Sequence, residues 1–434
     1  MARRSATPAE HALTDGKQRD VYWLFVFVQL YLTFDYLRPQ YYVPALEVVR
    51  PGLLLSVITA FLWLRQKDKS ALRHSLVRGY GYFIFLSIAS LLWCTNHYWA
   101  VEYSKLLLIY VAAGTLPIAT VLSDTTRIKR FLLFWLTLQG VIAVGCIASH
   151  GVGPGGMLAD ENDFALCLIM ALPYAAFLVM SSVTTKKQKF ALSAVAFLLI
   201  LAVATTLSRG GMLGLIAALF VVFWYTKGKL KTVVILILAV GMAVPFLPDR
   251  FFSEFSSINN TQDSTRVDRL RSWQMGWMMF KDSPLIGVGT GNYPWTVGEY
   301  ESRMPDYNPE RPNHAGRQAH SLWFTLIPEH GLLGGGLYLW LLFTIVRRCR
   351  AVIRWYEQDG AATKDGELLA VLAKGILGSL IGFLVAGTFI SVLYYPHLWY
   401  LIGFAVGLDL AFSKARLQAV KSGSPGASRK PLRA

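Results

Sequence analysis

Three arginines and one histidine carry the chemical promise of this 434-residue chain. Arg209 stands in LSRGGMLG, where one apolar run ends and the next begins. A guanidinium near hydrocarbon is costly unless paired or snorkelling, so it marks a functional position by default. Interfacial anchoring is the plainer account of it. Arg266 and Arg269 follow in STRVDRLRSWQMGWMMFKDSPLIGVGTGN. Two guanidiniums one helical turn apart can grip a pyrophosphate through forked, charge-assisted bonds. Phospholipid anchoring would suit the same pair. His320, in AHSLWFTLIPEHGLLGGG, can take a proton near neutral pH, which suits activation of a hydroxyl nucleophile. A hydrogen-bonded histidine at a membrane interface is the plainer reading. His314 and His330 are weaker candidates, and Glu329 with His330 after Pro328 also reads as a buried pair at a kink.

An acidic element, ADENDFALCL at 159–168, completes the set. Asp160 or Asn162 fits a helix N-cap, with Asp160, Glu161 and Asp163 favourable at the positive helix end. The alternative is an acidic lip that orients an acceptor or pairs with the arginines. No second cluster with ligand spacing accompanies it, so no metal site is expected.

A membrane must position these residues. Hydrophobic residues make up 54% of the chain and its mean hydropathy is +0.43. Only 16% of residues are charged, against roughly 25% in soluble proteins. The apolar residues come in blocks of about twenty, the length that a ~30 Å hydrocarbon core demands of a helix. A soluble enzyme and a disulfide scaffold are excluded, as is a porin-like barrel, whose strands alternate over ~10 residues. The expected fold is all-α and polytopic, with about twelve transmembrane helices. The spans fall near 21–37, 46–64, 80–95, 103–122, 131–149, 162–182, 190–207, 210–226, 232–248, 320–346, 368–390 and 396–413. Segment 1–20 is then a cytoplasmic tail, 21–248 the first nine spans, 249–319 a large outer loop, 320–413 the last three spans and 414–434 a basic cytoplasmic tail. Cys94, Cys146, Cys167 and Cys349 show no C-x-x-C pair and read as small core residues.

The net charge of +16 is mostly a topology signal. With the N-terminus inside, 29 of the 42 Lys and Arg residues fall in cytoplasmic segments, as short inner loops require. No nucleic-acid partner follows from it. Lys105 and Lys374 lie within spans without an obvious partner. Loop 249–319 runs against the rule: it carries Arg250, Arg266, Arg269, Arg271, Lys281, Arg303, Arg311 and Arg317 on the outer side. An anionic ligand there is the natural reason. Within the loop, Ser264 or Thr265 can cap a helix that Pro284 and the following glycines end. At 100° per residue, Arg266, Arg269, Leu270, Trp273, Trp277 and Phe280 form one stripe. That is an amphipathic helix with its aromatic side in lipid headgroups, while Arg271 points away.

Three of these elements appear together and in order, and the chain resembles the O-antigen ligase family of bacterial inner membranes. Ser208-Arg209-Gly210 matches that family's small-residue S-R-G element at an outer helix end. Arg269-Leu270-Arg271-Ser272-Trp273, then Pro284-Leu285-Ile286-Gly287-Val288-Gly289, match its R-L-x-x-W…P-L-x-G-x-G loop element. His320, Ser321, Gly331 and Gly334 match its histidine pattern without a gap. The resemblance covers about 200–345; the first 150 residues match only in hydropathy.

It implies a metal-independent, inverting glycosyltransferase that needs no cofactor. The donor would be an undecaprenyl-pyrophosphate-linked glycan on the periplasmic leaflet, and the acceptor lipid A–core oligosaccharide. Arg209 and Arg269 would hold the pyrophosphate, with Arg266 as the neighbour that helix geometry supplies. His320 would accept or orient the acceptor's hydroxyl proton. Asp160, Asn162 and His314 would be acceptor-facing or structural. Localisation would be multi-pass in the inner membrane, with membrane lipids as further partners and the site facing the periplasm. Relatives that polymerise O-antigen units or glycosylate proteins use the same donor, and acceptor identity is not written in the pattern. A transporter of lipid-linked glycans fits less well, because it should show broken helices and paired midplane charges without a long outer loop.

Overall fold

A computed structural model describes residues 8–246, 264–310, 313–360 and 363–421. The described chain is helical, with no β-strand among these residues. Arg250, Arg311, the first seven residues and the basic tail from 422 on lie outside the described residues.

Fourteen helices are named here in chain order. They are α1 (Pro8–Tyr36), α2 (Ala45–Leu64), α3 (Ser75–Leu92), α4 (His97–Val121), α5 (Thr125–Ala148), α6 (Glu161–Met180) and α7 (Lys186–Thr205). There follow α8 (Arg209–Tyr225), α9 (Lys229–Ala243), α10 (Ser264–Asp282), α11 (Tyr293–Glu301), α12 (Leu322–Trp355), α13 (Lys364–Gly387) and α14 (Pro396–Lys421). Each of the twelve expected spans falls on a helix. Among the described residues nine helices are long and apolar enough to cross a bilayer; α8, at 17 residues, is apolar but shorter. The four cysteines are free and buried.

The bundle centre is α6, packed between α8 and α13 and flanked by α7. Between membrane helices the hydrophobic effect gives little preference, so close packing must hold them, and small residues allow it. A Cβ added at Gly378 of α13 would lie 2.6 Å from Pro173 of α6, and one at Gly382 would lie 2.7 Å from Ile169. A Cβ at Gly214 of α8 would lie 2.8 Å from Ala386. These contacts fix the N-termini of α6 and α8 against the C-terminus of α13. Ser208, the N-cap of α8, accepts from Gly211 N at 2.9 Å and donates to Asn162 Oδ1 at 2.6 Å. Asp160 caps α6 by accepting from Asn162 N at 2.8 Å.

Two spans hold a lysine, and both have company. Lys105 Nζ donates to Glu102 at 2.6 Å at an exposed position. Half-buried Lys374 lies 5.7 Å from the Tyr225 ring centroid and 5.8 Å from that of Tyr356. The sequence showed neither partner, because one ring sits on a different helix and the other in the turn after α12.

The segment after α9 folds onto one end of the bundle with a core of its own. Met275, Met279, Tyr293, Val297, Tyr300, Met304 and Ala319 are buried together there. Trp273 docks α10 onto α12, stacked on Phe324 at 5.2 Å and donating from Nε1 to Ala319 O at 3.0 Å.

The long helix α12 is broken. Gly331 has φ 58°, ψ −156°, three residues after Pro328. A broken helix frees backbone groups that must be satisfied where water is scarce. Segment 284–289 satisfies them: Val288 N donates to Pro328 O at 2.9 Å and Gly289 N to Glu329 O at 3.0 Å. In return Leu332 N donates to Pro284 O at 2.8 Å and Leu333 N to Leu285 O at 3.1 Å. A Cβ at Gly331 would stand 2.6 Å from Ile286 N, so the close approach requires glycine.

The small-residue seam has a direct test. Gly214→Leu should lower the thermal midpoint in detergent by several degrees, since overpacking costs ~1–3 kcal/mol. Gly81→Leu serves as the comparison, since a Cβ there meets nothing within 4 Å. Equal midpoints for the two variants would remove the seam as the element that sets the bundle.

Candidate functional site

The predicted residues gather at one end of the bundle around three adjoining cavities. Arg209, at the N-terminus of α8, and Arg266 and Arg269, on α10, line the first, of about 260 Å³. Leu213, Leu270, Trp273 and Phe389 complete its wall, and Leu213 and Leu270 are about half exposed, at 47% and 46%. A polar, cationic floor therefore meets an apolar face that opens outward. Arg209 and Arg269 are half-buried and Arg266 is exposed.

Arg269 also lines the second cavity, of about 200 Å³, with Asp268, Ser272, His314, Arg317, Gln318 and His320. His320 and Gln318 in turn face the third, of about 150 Å³, together with Asp160, Asn162, Asp163, Glu329, Tyr394 and Tyr395. His320 is thus the hinge between a basic cavity and an acidic one.

His320 does not open the span as the sequence suggested. Helix α12 begins at Leu322 with Ser321 as N-cap, so the imidazole stands on the residue before the cap. Its backbone is left-handed, φ 47°, a conformation that costs a non-glycine residue roughly 1–3 kcal/mol. Among the described residues nothing hydrogen-bonds the ring. Loss of surrounding water, and then the Arg269 guanidinium, push its pKa below the ordinary histidine value, while Asp160 pulls the other way. The ring is therefore neutral near pH 7 and able to accept a proton.

The acidic element caps its helix, as one of the two readings had it. Asp160 is an N-cap, and Asn162 donates to it from Nδ2 at 2.9 Å. Both also line the cavity beneath His320. Asp163 is buried and accepts from Tyr395 Oη at 2.9 Å.

Glu329 and His330 are buried but are not partners of each other. Glu329 accepts from Gly291 N and Tyr293 N, each at 2.9 Å, and from Tyr394 Oη. His330 Nε2 lies 2.9 Å from the same Tyr394 hydroxyl. One tyrosine from the turn before α14 separates the two. Glu329 thereby pins the glycine-rich segment to α12, a task visible in the sequence only as a carboxylate inside an apolar run.

Arg271 lies on the opposite side of α10 from Arg269 and belongs to the loop's own core. It is buried, pairs with Asp306, and its Nε lies 3.9 Å from Glu301 Oε1. Glu301 also accepts from His314 N at 2.9 Å and meets His314 Nδ1 at 2.7 Å. Burial opposes charge on Glu301, yet the His314 bonds and the Arg271 charge outweigh it and hold its pKa below the usual carboxylate value. Neither Glu301 nor its link to His314 was legible, since 13 residues and a turn separate them. Among the described residues no group of three or more His, Cys, Asp or Glu is placed to hold a metal ion.

Residues 194–339 match the family model described as O-antigen ligase. The match contains Arg209, Arg266, Arg269, His314 and His320 and ends inside α12; Asp160 and Asn162 lie outside it. No curated protein matches the chain.

Glu329 gives this site its sharpest structural test. Glu329→Ala leaves the buried Tyr293 amide without an acceptor, at a cost of ~1–3 kcal/mol, and leaves Gly291 N only the Tyr394 hydroxyl at 3.2 Å. Hydrogen exchange at Tyr293 should then accelerate about tenfold or more, one decade per ~1.4 kcal/mol, with a smaller rise at Gly291. Unchanged exchange at both would show that the segment is held by its backbone bonds alone.

Proposed function

With residues 194–339 assigned to the O-antigen ligase family, whose members are membrane enzymes that transfer glycans, we propose that this chain moves a glycan from undecaprenyl pyrophosphate to lipid A–core oligosaccharide. One observation carries the reading: Arg209, Arg266 and Arg269 surround a single cavity, and Arg269 is shared with the cavity into which His320 faces. A pyrophosphate on a lipid needs both walls of the first cavity. The guanidiniums take its charge by forked bonds, and Leu213, Leu270 and Trp273 accompany the isoprenoid chain outward.

The reaction is a one-step displacement with inversion. The acceptor hydroxyl oxygen bonds to the anomeric carbon as the bond from that carbon to the phosphate oxygen breaks. The electron pair leaves with the pyrophosphate, where the arginines stabilise charge that grows toward the transition state. The hydroxyl proton passes to the neutral His320 ring. No metal or cofactor enters this scheme. The exposed stripe of α10, with Trp277 at 47% exposure, would rest among lipid headgroups. The arginine-bearing end lies opposite the basic connections 65–78, 127–130, 186–189, 227–231 and 347–364, which supports an inner-membrane protein with its site toward the periplasm.

The experiment combines purified full-length protein, undecaprenyl-pyrophosphate oligosaccharide and lipid A–core, with products separated by size. A single upward step of the lipid A–core band, lost in His320→Ala and unaffected by EDTA, is expected. Arg209→Ala and Arg269→Ala should raise the donor KM tenfold or more, and Arg→Lys should recover only part, because the fork is lost. A ladder on the undecaprenyl carrier, indifferent to lipid A–core, would instead make the protein a polymerase. Transfer to neither would direct the search to protein acceptors.

A pH profile reads the histidine. Loss of surrounding water, and then the Arg269 cation, disfavour the protonated ring, so the acid limb of kcat/KM should lie below the ordinary value of about 6.5. Arg317→Gln removes one such cation and should move the limb to higher pH; Asp160→Asn should move it lower. A limb indifferent to both substitutions would mean that the titrating group is not His320.

A further inference from the structure

The proton acceptor in that scheme is His320, and the scheme leaves a second imidazole unused. His314 is 5% exposed, and its ring is oriented by Glu301 through Nδ1. A carboxylate only accepts, so Nδ1 carries a hydrogen toward Glu301 and Nε2 faces away from it. Glu301 is kept in place by the His314 amide and by Arg271, so the orientation is rigid. Nε2 is buried and has no hydrogen-bond partner among the described residues. A buried nitrogen without a partner needs an explanation, and here the ring lines the cavity of about 200 Å³ that also holds Arg269 and His320.

The chemistry of that cavity selects its ligand. A hydroxyl both donates and accepts, so it can meet Nε2 whichever role the nitrogen takes. Ser272 and Gln318 add short polar groups, and Arg317 and Asp268 stand at the exposed rim, 3.8 Å apart. The volume is below the roughly 300 Å³ at which pockets for drug-sized ligands begin, so one sugar residue fits and a chain does not. The arginine cavity with its apolar wall takes the lipid-borne pyrophosphate; a hydroxyl due to lose its proton must reach His320 from another side.

We propose that this cavity is the acceptor-sugar subsite and that His314 Nε2 makes a hydrogen bond with an acceptor hydroxyl other than the one that attacks. His314 is then a positioning residue: it fixes the acceptor ring so that the attacking hydroxyl meets His320. The inference rests on the glycosyl-transfer reading above.

The test titrates lipid A–core at fixed, saturating undecaprenyl-pyrophosphate oligosaccharide, using full-length protein. His314→Asn is the informative variant, because an asparagine amide can replace Nδ1 toward Glu301 but leaves nothing at the Nε2 position. Its acceptor KM should rise about tenfold, with donor KM and kcat at saturating acceptor within twofold of the parent. A purely structural histidine would be satisfied by asparagine, and an unchanged acceptor KM overturns the proposal. A rise confined to the donor KM also overturns it, by assigning the cavity to the donor. Should His314→Asn not fold, Ser272→Val, which narrows the same cavity without touching a charge near His320, decides in its place by the same two constants. Failure of the parent protein to transfer at all would remove the functional reading itself, and this subsite with it.

Discussion

The site depends on a reciprocal exchange of backbone hydrogen bonds between segment 284–289 and the break in α12. A helix interrupted at Gly331 would leave amides and carbonyls bare at the membrane boundary, at several kcal/mol each. A loop that approaches a membrane helix without regular structure has the same difficulty. Each resolves the other: two amides of the loop meet the carbonyls of Pro328 and Glu329, and two amides past the break meet Pro284 and Leu285. Glu329 adds a carboxyl clamp on Gly291 and Tyr293. The register is fixed from both ends, and α10, immediately before this segment, inherits it. So does His320, which lies on the chain that enters α12 from the same side. Arg269 and His320 are brought together because the same splice holds the elements that carry them.

Helix α10 then divides its arginines by angle. Arg269 and Arg271 are two positions apart, about 200° around the helix, so they cannot serve one ligand. Arg271 turns inward and organises Asp306, Glu301 and, through Glu301, His314. Arg266 and Arg269 face the cavity that Arg209 shares. A charge spent on structure on one face leaves the loop rigid enough for charges on the other face to be held ready. In the proposed transfer such preorganisation would meet the growing pyrophosphate charge without reorientation as the bond breaks.

How much of this was legible follows from how far each interaction reaches along the chain. Hydropathy is local, so all twelve spans land on helices, even where α8 is short. The turn-spaced Arg266 and Arg269 share a face because helix geometry is local too, and Arg271 points away for the same reason. The start of α12 was misplaced by two residues, because a left-handed residue followed by a cap leaves no hydrophobic signature at His320. Lys105 and Lys374 looked unpartnered because a charge in an apolar run is scored without its neighbours. Glu301 with His314, Ser208 with Asn162 and Tyr394 with Glu329 join elements 13, 46 and 65 residues apart. No periodicity encodes such pairs. The acidic element shows the limit from another direction: Asp160 caps α6 and also lines the cavity that His320 faces, and no spacing in the sequence could place it there.

The site is assembled from helix ends rather than helix middles. Arg209 begins α8, Asp160 and Asn162 begin α6, His320 precedes α12, and Phe389, Tyr394 and Tyr395 fill the turn between α13 and α14. Helix N-termini leave amides to be satisfied, and here Asp160, Ser208 and Ser321 accept from the first turns of α6, α8 and α12. Convergence has a conformational cost. Leu207, before the cap of α8, and His320, before the cap of α12, are both left-handed, at φ 54° and 47°. In each case the residue that turns the chain directly precedes the N-cap; at α12 it is His320 itself that faces the shared space, and at α8 it is Arg209, just after the cap. Strain of that kind persists only where the surroundings over-determine it. Here the surroundings are the Ser208–Asn162 bond on one side and the α12 splice on the other. Relaxing either would return its turn to ordinary backbone and carry Arg209 or His320 away from Arg269.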